Sequence, residues 1–116
     1  MKIQHRTAVN LAVQDMARSV DFYRKLGLEL LYGGEHASFT AFRASEGYIN
    51  LRLSSSQVGS RSSRIIVLVE EVDSLYSKLK ERGLEPESPR EGDPGERFFY
   101  LKDPDGHELT FAQLLS

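Results

Sequence analysis

The sequence predicts an α+β fold built from two halves of like order, and three observations carry that prediction. Apolar residues alternate over residues 7–14 and again through Ile65, Val67 and Val69, and each alternation is followed by apolar residues at helical spacing. Each helical stretch stops at the same triplet, Gly27-Leu28-Glu29 and Gly83-Leu84-Glu85. A shift of 56 residues lays one half on the other, with Val9 on Ile65, Leu11 on Val67 and Val13 on Val69.

The elements follow in order. In residues 7–14 the alternation puts Val9, Leu11 and Val13 on one side and Ala8, Asn10 and Ala12 on the other, which is a half-buried strand. Asp15 stands where a helix N-cap belongs, Met16, Val20, Tyr23 and Leu26 recur at helical spacing, and Gly27 supplies the stop. Short β-like runs come next at residues 28–32, 38–42 and 48–53, separated by Gly33-Gly34 and Glu46-Gly47. Residues 54–63 are small and polar without periodicity, a surface connection. After the second alternation a helix over residues 71–82 places Val72, Leu75, Tyr76 and Leu79 on one face and ends at Gly83. Residues 96–102 and 108–114 read as strands joined by the turn Asp103-Pro104-Asp105-Gly106. Residues 84–95 carry the weakest pattern, and a short strand is placed at Leu84.

The composition narrows the function. The 116 residues, 40% hydrophobic and 28% charged, suit one compact domain, with a first module over about 1–54, a linker over about 55–63 and a second module over about 64–116. Cysteine is absent, which removes thiol nucleophiles, iron–sulfur clusters and thiolate zinc sites and fits a reducing cytosol. The net charge of −2 offers no positive field for nucleic acid. No apolar run reaches the length of a signal-peptide core or a membrane span, so the expected location is the cytoplasm.

Two segments, VNLAVQDMARSVDFYRKLGLEL near the start and GERFFYLKDPDGHELTFAQ near the end, resemble the vicinal oxygen chelate superfamily of glyoxalases, extradiol dioxygenases, fosfomycin-resistance enzymes and bleomycin-resistance proteins. The likeness spans nearly the whole chain. It implies two βαβββ modules in tandem, curved mixed sheets forming a cup, and homodimers whose cups combine the first module of one chain with the second of its mate. It also implies four metal-ligand places: seven residues before the acidic residue that opens each helix, within the fourth strand, and seven residues past the first Asp of DPDG. Here those places hold Ala8, Arg64, Asn50 and Thr110. None is a His, Asp or Glu, and a divalent ion needs several such donors to outcompete water.

Strand parity supplies the lining of the expected cup. With Val9, Leu11 and Val13 against the helix, Ala8, Asn10 and Ala12 face inward; by the same rule so do Tyr48, Asn50 and Arg52, then Arg64, Ile66 and Leu68, then Thr110 and Ala112. Phe39, Phe42, Phe98, Phe99 and Tyr100 add aromatic surface, with their facing left open. Arg52 and Arg64 suit an anionic ligand; the alternative is that each pairs with a Glu such as Glu108 or extends to the rim.

The expectation is therefore a metal-free small-molecule binding protein with no cofactor, resembling the bleomycin-resistance members. Its ligand residues would be Asn10, Tyr48, Asn50, Arg52, Arg64 and Thr110, its ligand anionic or aromatic, and its macromolecular partner a second copy of itself rather than nucleic acid or a membrane. Bleomycin itself, a cation, is a poor match for two arginines. The alternative is a glyoxalase-type lyase or isomerase, or a dioxygenase, with a metal relocated to His5 or His36 with Glu35; the competing reading of those histidines, and of His107 beside its turn, is solvated or hairpin-fixing side chains. No catalytic residue is assigned.

Overall fold

In the computed structural model, residues 7–55, 64–92 and 95–114 are described. His5 and residues 56–63 of the expected linker lie outside them. The chain divides into two compact units, Met1–Gly59 and Ser60–Ser116. Unit 1 runs β1 (Ala8–Val13), α1 (Met16–Lys25), β2 (Glu29–Tyr32), β3 (Phe39–Ala44) and β4 (Gly47–Leu53). Unit 2 runs β5 (Arg64–Leu68), α2 (Val72–Glu81), β6 (Arg90–Gly92), β7 (Glu96–Lys102) and β8 (Glu108–Leu114). Each is a βαβββ module with its own four-stranded sheet, ordered β1-β4-β3-β2 and β5-β8-β7-β6. β1 joins β4, and β5 joins β8, in parallel, while the remaining pairs are antiparallel.

Local chemistry explains both helices. Asp15 accepts a hydrogen bond from the Arg18 N–H at 3.1 Å, satisfying one of the donors that a helix start leaves open. At the far end Gly27, at φ 98°, donates to the Arg24 carbonyl while Leu28 donates to that of Tyr23. Gly83, at φ 90°, and Leu84 repeat that pattern onto Lys80 and Leu79. This left-handed closure needs a residue without Cβ, which is why the Gly-Leu-Glu triplet recurs in phase.

The helix-facing side of each sheet holds the core. In unit 1, Leu11, Val13, Phe42, Ile49 and Leu51 are buried with Met16, Val20 and Tyr23 of α1. In unit 2, Phe99, Leu101, Leu109 and Phe111 are buried with Val72 and Leu79 of α2. The strand expected at Leu84 forms later, at Arg90–Gly92. Residues 84–89 contain Pro86 and Pro89, which lack the N–H a ladder requires, and a lone backbone bond from Glu87 to the Tyr100 carbonyl holds the stretch to β7. Among the described residues, no helix is long and apolar enough to cross a membrane.

Candidate functional site

The face of each sheet turned away from its helix carries the polar groups, and the register arranges them in rows. On unit 1, three rows cross β1, β4 and β3: Ala12, Arg52 and Phe39; Asn10, Asn50 and Ala41; Ala8, Tyr48 and Arg43. In the middle row the Asn50 Nδ2 donates to the Asn10 Oδ1 at 3.1 Å. In the outer rows the Arg52 guanidinium lies 5.4 Å from the Phe39 ring centroid, and that of Arg43 lies 5.7 Å from Tyr48. Arg43 also reaches Glu29 at 3.6 Å, whereas Arg52 has no carboxylate partner among the described residues.

On unit 2 the corresponding rows cross β5, β8 and β7: Arg64, Glu108 and Lys102; Ile66, Thr110 and Tyr100; Leu68, Ala112 and Phe98. Arg64 donates through Nε and Nη2 to one oxygen of Glu108, at 3.2 and 3.0 Å. The Tyr100 ring has two guanidinium groups near it, Arg64 at 5.9 Å and Arg90 at 5.3 Å, the latter paired with Glu87. A hollow of about 280 Å³ lies here, lined by Arg64, Glu87, Tyr100, Lys102 and Glu108. Thr110 is 92% buried, and its Oγ1 makes no hydrogen bond to another protein group. Such an orphaned hydroxyl is costly unless something on the open face answers it.

All six residues singled out in the sequence lie on these faces: Asn10, Tyr48, Asn50 and Arg52 on unit 1, Arg64 and Thr110 on unit 2. The aromatic residues left open now divide. Phe39, Phe98 and Tyr100 share the open faces, while Phe42 and Phe99 are buried toward the helices. The two arginines also divide, Arg64 pairing with Glu108 and Arg52 with a ring. The sequence reading passed over Arg43 and Arg90. Parity counted from buried Phe42 would have placed Arg43; Arg90 sits in a stretch with no pattern to count from.

The metal expected of the fold does not fit this side-chain set. A methyl, a carboxamide, a guanidinium tied to Glu108 and a hydroxyl stand at residues 8, 50, 64 and 110, and the fixed positive charge of Arg64 opposes a divalent cation. No three His, Asp or Glu side chains converge anywhere among the described residues. His36 and Glu35 stand 3.4 Å apart on the surface with no third donor. His107 is buried in the DPDG turn, where its backbone N–H donates to Asp103 Oδ1 at 2.8 Å, and it is not a solvated side chain.

Two tandem βαβββ modules, each with its own four-stranded mixed sheet, define the architectural class of the chain. Residues 2–111 match the family model of the Glyoxalase/Bleomycin resistance protein/Dioxygenase superfamily, and the chain belongs to that superfamily. No curated protein matches it. Among solved structures, TnmS3, an antibiotic binding protein from Streptomyces sp. CB03234, is 25% identical with a TM-score of 0.76, over 98% of each chain. A bleomycin-binding protein complexed with bleomycin is 17% identical with a TM-score of 0.77, over 97% of this chain and 98% of that one. An integron cassette protein from the mobile metagenome of Halifax Harbour Sewage Outfall is 22% identical with a TM-score of 0.83, over 97% of this chain and all of that one (100%). The last two likenesses concern the fold alone.

Proposed function

We propose that this chain is a small-molecule binding protein that holds an anionic or aromatic ligand on its open sheet faces without a metal ion. The observation that carries this reading is the set Ala8, Asn50, Arg64 and Thr110 at the places where the superfamily's chelating chemistry would need acids and histidines. Asn10, Tyr48, Asn50, Arg52, Arg64 and Thr110 are the proposed contacts. Aromatic rings beside guanidinium groups and an unanswered Thr110 hydroxyl support it, since small-molecule sites combine apolar area with a few convergent polar groups. TnmS3, an antibiotic binding protein 25% identical over 98% of each chain, supports the same class of activity.

The functional unit in this reading is a homodimer in the cytoplasm. Exposed Ile66, Leu68 and Leu114 on unit 2, each more than 60% accessible, give a second copy an apolar surface to cover, and a cysteine-free chain suits a reducing compartment.

Thermal unfolding with a panel of planar aromatic carboxylates tests the proposal. A ligand at a hundred times its Kd is expected to add about 2.7 kcal/mol of stability. The effect should survive EDTA, and the compound should be recovered unchanged. Stoichiometric metal in the purified protein, removed by EDTA together with turnover of a substrate, would overturn the proposal in favour of a metal-dependent lyase, isomerase or dioxygenase.

A further inference from the structure

The open face of unit 1 points to a narrower ligand class, and this step rests on the binding-protein reading above. We infer that Asn10 and Asn50 form one recognition edge for a lactam, imide or carboxamide on a flat conjugated ligand, with Arg52 holding an acidic group at the ligand's other end. The two carboxamides lie directly across the parallel β1–β4 pair and share one hydrogen bond of 3.1 Å. That bond leaves the Asn50 carbonyl oxygen as an acceptor and the Asn10 amide nitrogen as a donor, neither spent on another group. Turning both amides over merely reverses the order of donor and acceptor. A cis-amide group carries the complementary pair on one edge, so it satisfies both at once in place of the water that covers them otherwise.

The surroundings favour a flat molecule. Ala8 and Ala12 flank Asn10 along β1 and Ala41 lies across from Asn50, so the pair is low on those sides, while Tyr48 and Arg52 stand on either side of Asn50 along β4. Phe39 stands at the next row, one strand repeat or about 7 Å away. Arg52 on that row has no carboxylate partner among the described residues and lies against the Phe39 ring, where its guanidinium can donate to an anion. Arg64 on unit 2 differs because Glu108 already occupies it. Arg52 stands one row, about 7 Å of backbone, from the amide pair, which places the ligand's acid on the Phe39 side of its amide edge and suits a bicyclic aromatic acid.

Titration calorimetry with three probes tests this: 2-quinolone-6-carboxylate, its N-methyl derivative and naphthalene-2-carboxylate. The quinolone acid is expected to bind about tenfold more tightly than either of the others, the worth of one satisfied hydrogen-bonding edge. Asn50→Leu and Asn10→Asp, each first shown to unfold at the wild-type temperature within a few degrees, should both erase that preference. Arg52→Met should weaken all three carboxylates about threefold to tenfold and leave the ratio between them intact. Equal binding of the quinolone and naphthalene acids overturns the edge assignment while leaving the binding-protein reading standing. A preference that survives both asparagine variants overturns it as well, and absence of binding by every aromatic acid tried overturns both readings.

Discussion

The two open faces are built on the same backbone and do different things with it. On unit 1 the central row is Asn10, Asn50 and Ala41; on unit 2 it is Ile66, Thr110 and Tyr100. Unit 1 thus presents paired amides between Tyr48 and Arg52, with the Arg52 guanidinium against a ring rather than a carboxylate. Unit 2 presents a closed ion pair, Arg64 with Glu108, next to exposed Ile66 and Leu68. Neither arrangement is required to form the sheet, because Asn10, Asn50, Arg64 and Ile66 are exposed or half-buried and lie outside the core. The comparison teaches that the repeat fixes the scaffold, while the side chains on the open faces were free to diverge between the halves.

The cores diverge as well, with residue sizes exchanged at two equivalent places. The helices equate Tyr23 with Leu79, each the eighth residue of its helix, and the sheet registers equate Thr40, opposite Leu51, with Phe99, opposite Phe111. Unit 1 has the larger helix residue and the smaller strand residue; unit 2 has the reverse. Phe99 stacks on Phe111 at 5.1 Å and meets Tyr76 edge-on at 5.8 Å, while fully buried. Phe99→Ala is expected to cost about 3–5 kcal/mol in urea unfolding, the largest effect proposed for this comparison. Adding Leu79→Tyr should recover part of that loss. Simple additivity of the two substitutions would show that the size exchange is not a compensation.

Thr40 could be small because it has another task. Its hydroxyl accepts from the Gly34 N–H and donates to the Gly34 carbonyl, bracing a loop in which a Cβ on Gly33 would meet the Phe39 carbonyl oxygen.

How far the sequence could be read follows from these details. Alternation placed β1, β4, β5 and β8 and their faces, and the Gly-Leu-Glu triplets marked both helix ends, because those signals lie within a few residues of each other. The facing of Phe98, Phe99 and Tyr100 was hidden, since three adjacent aromatic residues obey either parity until β8 fixes the register. Of the two arginines, Arg64 takes the alternative named in the sequence, pairing with Glu108, while nothing in the sequence pointed to the Phe39 ring beside Arg52. Glu108 is 44 residues from Arg64 in sequence and directly opposite it in the sheet, while Arg52 has Ala12 and Phe39 as cross-strand neighbours.

Helix capping gives a smaller and sharper contrast. The repeat equates Asp15 with Glu71, yet only Asp15 caps its helix; Glu71 makes no cap bond and accepts from the Ser74 hydroxyl. The Val72 N–H is instead satisfied by Gln113 Oε1 at 2.8 Å, a side chain reaching from β8. Asp15→Ala and Gln113→Leu are each expected to cost about 1 kcal/mol. Glu71→Ala should cost less than about 0.5 kcal/mol, as for other surface changes. A Glu71 effect as large as that of Asp15 in chemical denaturation would mean that the halves cap their helices alike after all.

The smallest expected effect is visible mainly in its pH dependence, and it belongs to unit 2 alone. Arg97 on β7 donates to both carboxylate oxygens of Asp73 in the first turn of α2, at 2.7 and 2.8 Å. The position equivalent to Asp73 in unit 1 is Ala17, so α1 has no such tie to its sheet. These hydrogen bonds first, and the charge of Arg97 second, hold the Asp73 carboxyl below its ordinary value of 3.8, while Asp73 raises the pKa of the guanidinium. A carboxyl with a depressed pKa in the folded state contributes stability above its unfolded pKa and loses it as pH falls through the folded value. Urea midpoints of the wild type and Asp73→Asn should therefore differ by a constant amount above about pH 5 and converge as the pH drops below 3.8. Because the pair is solvent-exposed, salt should narrow the gap at neutral pH. A gap that persists undiminished into acid would mean that the aspartate contributes through shape or helix geometry, leaving the charge pair without a role in distinguishing the two halves.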